Sequence, residues 1–341
     1  MAILLGHTTA LEYWRSLASM DDPLLHRALI GSPAERRNAT AHLQQHLTTA
    51  QGRKESAAYL SEDPSAHIIT VDKQLSTQCT LATAHVVKSL PSYSCIRANR
   101  HFQKSKLYVS TPEFCFLQMA TQLTLAELIA LGFELCGTYA QQDDRTVFGG
   151  LPLSTPERIA AFLLHAENHR GIKMARRALK HVIAGSASPM ETALTMFLTL
   201  PYSLGGYGIA SPQLNYRIDI PASMARTVDS HYYVCDLYWK EAALAIEYDS
   251  NLAHSGINKT VRDAMRRSVL TALGISVLSV TWPQVKNKDA LKQLAHLVAK
   301  KTHKRLQYSD PEFTLRHLAL RSTLLRPSQN DDIEALPPRR P

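Results

Sequence analysis

Cysteine pairs, a leader segment and long apolar runs are all absent from this sequence. The five cysteines, Cys79, Cys95, Cys115, Cys136 and Cys235, are widely spaced and form no C-x-x-C pair, which argues against a zinc knuckle and a disulfide framework. No basic segment followed by an apolar run opens the chain, and no stretch reaches the roughly 18 apolar residues of a membrane span. We therefore expect buried thiols, no membrane association and a cytoplasmic location.

Positive charge exceeds negative charge in this chain. Its 341 residues include 38 Lys and Arg against 29 Asp and Glu, a net charge of +9. Because a basic excess favours an anionic partner, the composition tilts towards nucleic acid, although many basic proteins bind none. The length suggests two domains.

The pattern along the chain predicts an α/β protein with three parts. Residues 1–185 form a mostly helical α+β region with strands at 67–72 and 106–110, and its first helix is capped by Thr8 or Thr9. Residues 186–305 combine three strands with helices and form the second domain. Residues 306–341 are expected to be a last helix and a disordered, Pro- and Arg-rich tail.

Acidic residues follow two apolar strands of the second domain. HYYVCDLYW and ALAIEYD are separated by Lys240-Glu241 and read as an antiparallel hairpin. Strand alternation puts Glu247 and Asp249 on one face, and a register that sets Asp236 beside Glu247 would bring three carboxylates together. Crowded carboxylates repel unless a cation neutralises them, and Mg²⁺ or Mn²⁺ suits oxygen ligands. The alternative is that these acids only terminate strands.

The order of these residues resembles the restriction-endonuclease-like superfamily, whose motif is PD-(D/E)xK. The matching positions are Asp236, Glu247-Tyr248-Asp249, His254 and the basic helix that follows. Over about residues 188–301 the chain is similar to the short-patch-repair-like endonuclease domains. The resemblance implies a central mixed sheet flanked by helices and metal-dependent DNA cleavage, with Asp236 and Glu247 as metal ligands.

The chain departs from that motif at Asp249, which stands where the superfamily more often has its lysine. Lys259 on the following helix could supply the missing charge. With Arg262 and Arg266 it forms a basic helix face, which we expect either to contact DNA phosphates or to be solvated. By the same resemblance, His254 would donate a proton or contact phosphate.

A further acid of the resemblance has a competing structural explanation. Glu191 follows Ser188-Pro189 on the first helix of the second domain. Family members place a catalytic acid on this helix, so Glu191 is a candidate for the active site. Ser-x-x-Glu is also a capping box, which would occupy the same carboxylate.

Two functions from different classes follow from these observations. The first is a divalent-metal-dependent DNA endonuclease or nickase. The second is a non-catalytic nucleic-acid-binding regulator or toxin-antitoxin component on a nuclease-like fold. Residues 67–185 also resemble regulators of abortive-infection toxin-antitoxin systems. The resemblance lies in a strand-like segment followed by the helix start Val109 to Glu113. A homo-oligomer or a cognate protein partner is compatible with either function.

Overall fold

The computed structural model divides the chain into two compact units, residues 1–182 and 183–341. The structure describes residues 2–17, 30–51, 66–71, 83–98, 106–142, 145–221, 224, 230–249, 257–308 and 311–325. Within these ranges the molecule is a mixed α/β protein whose mixed sheets are flanked by helices. Among the described helices, none is long and apolar enough to cross a membrane.

A five-stranded sheet with strand order β3-β2-β1-β5-β4 organises the first unit. Its strands are β1 (Ala2–Leu5), β2 (His67–Thr70), β3 (Thr83–Val86), β4 (Cys95–Arg97) and β5 (Lys106–Ser110). The short strand β1 lies in the centre of the sheet, and its residues Ile3 and Leu4 are fully buried there. It runs parallel to β5 and antiparallel to β2. The sheet therefore joins segments that are far apart in the sequence.

Helices and a small hairpin complete the first unit. They are α1 (His7–Ser16), α2 (Pro33–Leu47), α3 (Pro112–Met119), α4 (Leu125–Leu135), the hairpin of β6 (Tyr139–Gln141) and β7 (Thr146–Phe148), α5 (Pro156–Leu164) and α6 (Ile172–Leu179). Three of these helices begin with a proline preceded by Ser or Thr, and Ser32 and Thr155 accept hydrogen bonds from the first turn. Proline fits there because the first helical N–H has no intrahelical partner.

The second unit contains a four-stranded sheet with strand order β11-β10-β9-β8. Its elements are α7 (Pro189–Thr199), a 3₁₀ turn (Tyr202–Leu204), β8 (Gln213–Asp219), β9 (Tyr232–Trp239), β10 (Leu244–Asp249), α8 (Ile257–Ala272), β11 (Ser276–Thr281), α9 (Trp282–Lys286), α10 (Lys288–Lys301) and α11 (Glu312–Leu324). Strands β8, β9 and β10 pair antiparallel, whereas β11 is parallel to β10. Parallel strands need a long crossover, and α8 lies in it.

The last helix, α11, packs within the second unit. Phe313 and His317 face the ring of Tyr207, at centroid distances of 5.3 Å for both. A Cβ on Gly205 would lie 2.4 Å from the carbonyl oxygen of Arg316, so only glycine allows this approach. The tail beyond Leu325, which we expect to be disordered, lies outside the described residues.

The four described cysteines, Cys95, Cys115, Cys136 and Cys235, are free and buried. Burial raises the pKa of the Cys95, Cys136 and Cys235 thiols to about 12. These thiols are therefore protonated and unreactive at neutral pH, as the sequence predicts. Cys79 lies outside the described residues.

Candidate active site

The two acidic strands β9 and β10 lie side by side in the centre of the second sheet. Their antiparallel ladder pairs Trp239 with Leu244 and ends at Leu237 and Ile246. Asp236 and Glu247 are the next residues of the two strands beyond the end of this ladder, and they are not themselves a pair of it. Their direct opposition therefore stays a prediction.

Asp236 lies where the regular ladder between the two strands stops. Its side chain is 8% exposed, and its Oδ2 accepts a hydrogen bond of 2.8 Å from the main-chain N–H of Tyr248. A side-chain acceptor thus takes the place of a strand carbonyl. Tyr248 directly follows Glu247, so this bond holds the Asp236 carboxylate close to the backbone of the second acid.

Strand alternation is interrupted at the same point. Tyr216 is paired with Cys235, and yet the Tyr216 ring stacks on Tyr238 at 5.2 Å, although Tyr238 is three residues further along β9. The pairing also skips Asn215, whose φ is 47°. Both strands are therefore distorted at the level of Asp236. Simple alternation along β9 cannot assign the face of Asp236.

Glu247 forms an ion pair with Arg266 of α8. The Arg266 Nη2 atom lies 2.6 Å from Glu247 Oε1, and the two side chains are 28% and 19% exposed. The same guanidinium donates to the carbonyl of Val234 and lies 5.5 Å from the centre of the Tyr233 ring. Arg266 is therefore fixed between β9 and β10 and places a positive charge on the predicted metal ligand.

Asp249 ends β10 and pairs with Thr281 of the parallel strand β11. Burial, with the nearby charge of Asp249, raises the pKa of Tyr248 to about 12. Among the described residues, no group of three or more His, Cys, Asp or Glu side chains is arranged to hold a metal ion. The structure thus holds Asp236 against the main chain of Tyr248 and, within the described residues, does not gather Asp236, Glu247 and Asp249 into a three-carboxylate cluster.

Glu191 lies at the start of α7 and is 2% exposed. Its carboxylate accepts hydrogen bonds from the Ala187 N–H at 2.9 Å, the Ser188 hydroxyl at 3.2 Å and the Asn215 amide at 2.6 Å. Ser188 in turn accepts from the Glu191 N–H at 3.1 Å. Ser188 therefore caps α7, whereas the Glu191 carboxylate binds the N–H of Ala187 and does not complete the capping box that the sequence suggested. The catalytic role of Glu191 stays a prediction.

Three of the predicted site residues cannot be placed. His254 lies outside the described residues, and α8 includes Lys259 and Arg262 but their side chains are not described. Arg266 is accordingly the member of the predicted basic helix face whose surroundings are defined. Arg266 places a positive charge beside Glu247. From the sequence, we considered that Lys259 could supply such a charge.

The chemistry of Asp236 and Glu247 fits a hard divalent cation. Both supply carboxylate oxygens, and Mg²⁺ is commonly held by one or two carboxylates together with water and substrate phosphate. The ion pair between Glu247 and Arg266 competes with such an ion for one of the two carboxylates. The two carboxylates are therefore of the right type for a divalent ion, which would have to displace Arg266 from Glu247.

Sequence reasoning missed two residues that shape this site. Asn215 donates to both Glu191 and the carbonyl of Gly185, at 2.6 and 2.8 Å, and thereby ties β8 to the start of α7. Cys235 is fully buried beside the charges of Glu247 and Arg266. No local pattern indicates either role, because Asn215 sits in ordinary strand text and Cys235 looks like any buried thiol.

The chain was compared with known proteins at three levels. Neither protein-family models, nor curated proteins, nor solved structures gave a match to it.

Proposed function

We propose that the second unit is a divalent-metal-dependent DNA endonuclease or nickase of the restriction-endonuclease-like type. The observation that carries this proposal is that Asp236 and Glu247 both directly follow the end of the β9–β10 ladder, with Asp236 bonded to the N–H of Tyr248 and Arg266 against Glu247. The order of α7, three antiparallel strands, α8 and a parallel strand agrees with the mixed sheet that the resemblance implies.

Each of the residues around this position has a defined part in the proposal. Asp236 and Glu247 would hold a Mg²⁺ or Mn²⁺ ion, which would supply positive charge at the scissile phosphate. The hydrogen bond from the Tyr248 N–H orients the Asp236 carboxylate. Arg266 leaves Glu247 for a phosphate oxygen, because a planar guanidinium binds either group in the same way.

Arg266 also answers the departure at Asp249. The superfamily's lysine would place a cation next to the reacting phosphate, and here the cation comes from α8. Arginine remains charged at every physiological pH. It can therefore stabilise developing negative charge but is not suited to accept a proton.

The test is cleavage of supercoiled plasmid by the full chain with Mg²⁺ or Mn²⁺. We expect nicking by the wild type, and a loss of at least about 100-fold in Asp236→Asn and Glu247→Gln, since each removes a ligand charge from the reacting centre. Asp219→Asn is the matched control, because Asp219 lies on the same sheet, is 74% exposed and pairs only with Arg217 at 2.7 Å among the contacts seen.

Two outcomes would contradict the nuclease proposal. One is a wild-type protein that leaves plasmid intact with every metal tried, and the other is cleavage that persists in both variants. Circular dichroism of each variant separates loss of activity from loss of fold.

The ion pair itself favours one competing function. With Arg266 at 2.6 Å, Glu247 is compensated without a metal. A non-catalytic nucleic-acid-binding regulator would keep this pair as a structural feature. Retention of DNA by a wild-type protein that never cleaves it, together with unchanged binding in Glu247→Gln, would select this second function.

A further inference from the structure

The first unit contains a cavity of about 1120 Å³ that has no part in the function proposed above. We call it the arginine cavity, because Arg36 and Arg158 line it together with Glu113, Ser154, Tyr93 and Phe162. Pockets of roughly 300–1,000 Å³ hold small organic ligands in other proteins. The arginine cavity is large enough for such a molecule.

Two guanidinium groups converge on one carboxylate in this cavity. Glu113, 2% exposed, lies 3.0 Å from Arg36 through Oε2 and 3.0 Å from Arg158 through Oε1. Its Oε1 also accepts 2.8 Å from the Ser154 hydroxyl. One carboxylate therefore compensates two cations, and a positive charge remains in the cavity.

The other acid of the lining, Glu35, is exposed and is not the partner of either arginine, since both pair with Glu113. Its Oε2 accepts from both the main-chain N–H and the hydroxyl of Ser32, at 2.7 Å each. These hydrogen bonds hold the pKa of Glu35 below its usual value. Glu35 is thus engaged at the start of α2, where the N-terminal end of the helix dipole is itself positive.

One of the three guanidinium nitrogens of Arg36 is left without a hydrogen-bond partner among the described residues. Its side chain is 8% exposed, its Nε donates to the carbonyl of Ile30 at 2.9 Å and its Nη1 to Glu113. Its Nη2 is buried and has no partner in the described part of the chain. Buried donors are normally paired, and an unpaired one calls for a missing partner.

The balance of charge around Arg36 points in the same direction. Burial lowers the pKa of Arg36, Glu113 opposes this effect, and the guanidinium of Arg158 lowers the pKa again. A bound anion would relieve both unfavourable contributions. Arg158, whose side chain is 40% exposed, is accessible from solvent and could reach that anion without breaking the buried pair.

Much of the remaining lining is apolar or aromatic, with Ser32, Thr155 and His165 as further polar members. Phe162 contributes a buried ring, and Tyr93 has a φ of 64°, an uncommon backbone conformation for a bulky residue. Arg37 donates to the Tyr93 hydroxyl at 2.7 Å, which fixes the orientation of this side chain. An inorganic ion alone would leave these walls without a partner.

We propose that the arginine cavity binds a small organic molecule with an apolar body and a terminal oxyanion, either a carboxylate or a phosphate, held by Arg36 and Arg158. Planar guanidinium groups bind both kinds of oxyanion in bidentate fashion. The proposal concerns the first unit and does not depend on the nuclease activity of the second.

The test titrates the full chain with phenyl phosphate and with benzoate, and uses benzamide as the neutral analogue. We expect at least one of the two anions to bind with a Kd of about 1 mM or tighter, an affinity within reach of ligands of this size. Benzamide should bind at least about tenfold more weakly, because it lacks the charge. The stronger of the two anions identifies the oxyanion class.

The variant Arg158→Gln should weaken binding of that anion at least about tenfold, or about 1.4 kcal/mol. Arg176→Gln is the matched control and should bind as the wild type does. Arg176 is 43% exposed and likewise pairs with one glutamate, Glu167, at 3.1 Å, but it does not line the cavity.

A second measurement uses only the wild-type protein. Phenylglyoxal modifies accessible arginines, and peptide mass spectrometry locates the modified sites. The bound anion should protect Arg158 and leave Arg176 reactive, which also distinguishes this cavity from any phosphate site in the second unit. Absence of binding by both anions, equal loss in the two variants, or equal reactivity of Arg158 with and without ligand would overturn the proposal.

Discussion

A single ion pair, Arg266 with Glu247, decides how the candidate site behaves before substrate arrives. At 2.6 Å it is short and partly shielded from solvent. Partial burial gives it more weight than a surface pair, yet both groups can still exchange partners. Glu247 is therefore neutralised by the protein itself, and the metal of the proposed function would have to compete with Arg266 for it.

This competition leads to a prediction at the residue scale. Arg266→Met should lose stability by an amount between the ~1 kcal/mol of an exposed pair and the ~3–5 kcal/mol of a buried one, since it leaves Glu247 uncompensated. The same variant should gain more thermal stability from added Mg²⁺ than the wild type does. Thermal melts with and without MgCl₂ provide the measurement.

The exposed pair of Arg217 and Asp219 supplies the control for that experiment. Arg217→Met should change stability little, because its side chain is 59% exposed and that of Asp219 is 74% exposed. An identical response of Arg266→Met and the wild type to MgCl₂ would show that Glu247 does not bind the ion.

Residue chemistry also limits what could be predicted of the site. The types and order of Asp236, Glu247 and Asp249 were readable, and so was the antiparallel pairing of the two strands that carry them. The contact of Arg266 with Glu247 was not, since it depends on how α8 lies across the sheet. Nor does any sequence rule signal the distortion at Asn215 that interrupts the alternation of side chains.

At the scale of elements, three histidines meet where α1, β2 and β3 come together. The rings of His7 and His85 stack at 3.4 Å, and His67 Nδ1 lies 2.9 Å from His85 Nε2. Burial, with the neighbouring histidines, lowers the pKa of His7 to about 3. For the same reasons the pKa of His85 falls to about 4, whereas Glu12 partly offsets the lowering at His67.

The sign of the pH effect follows from these values. Above pH 6.5, the ordinary histidine pKa, neither the folded nor the unfolded chain is protonated at these rings, and the full stability is present. As the pH falls from 6.5 towards 4, the unfolded chain takes up protons that the folded chain refuses. Stability is then lost at up to about 1.4 kcal/mol per pH unit for each proton.

Accordingly, His7→Asn should flatten the dependence of unfolding free energy on pH between pH 6 and pH 4, by up to one proton. Asparagine is chosen because His7 has a φ of 50°, which asparagine tolerates better than most residues. Urea unfolding at several pH values gives the slope. His296→Asn, at an exposed position beside Tyr308, should leave the slope unchanged; equal slopes for His7→Asn and wild type would refute the account.

Element boundaries show where local signals suffice. The strand predicted at 106–110 is β5, with the same bounds, because β-branched and aromatic residues lie between clear polar breaks. The predicted cap at Thr8 or Thr9 was wrong. The helix begins at His7 after Gly6, and Thr9 instead accepts a hydrogen bond from the main chain of His67 at 2.9 Å. That bond joins positions 58 residues apart, which no local pattern reveals.

The same reasoning explains why the five-stranded sheet was not foreseen. Its central strand has only four residues, and its two partners begin at His67 and Lys106. A hairpin can be predicted from the residues of its turn. Strands that are far apart in the sequence have no such local pattern to indicate that they pair. The sequence of β1 shows a short apolar run, but nothing in it indicates which strands pair with it.

At the scale of the whole molecule, the division at Val182 and Ile183 predicts independent folding. Each unit has a sheet and a core of its own, and both exceed the size at which small domains become marginal. Residues 1–182 and 183–341, produced separately, should each show cooperative unfolding, and the second fragment should keep any metal-dependent cleavage. A fragment that stays unfolded by circular dichroism in isolation would contradict this expectation.

The buried thiols make it possible to measure how fast each of the two units opens. Cys95, Cys115 and Cys136 belong to one unit and Cys235 to the other, and each is shielded in the folded state. An alkylating reagent can then modify a given cysteine only when its surroundings open, so labelling rates report opening events for each unit within one intact chain. Cys235 is the neighbour of Asp236 in β9. Its rate of alkylation therefore measures how often the strand that carries the first candidate ligand opens.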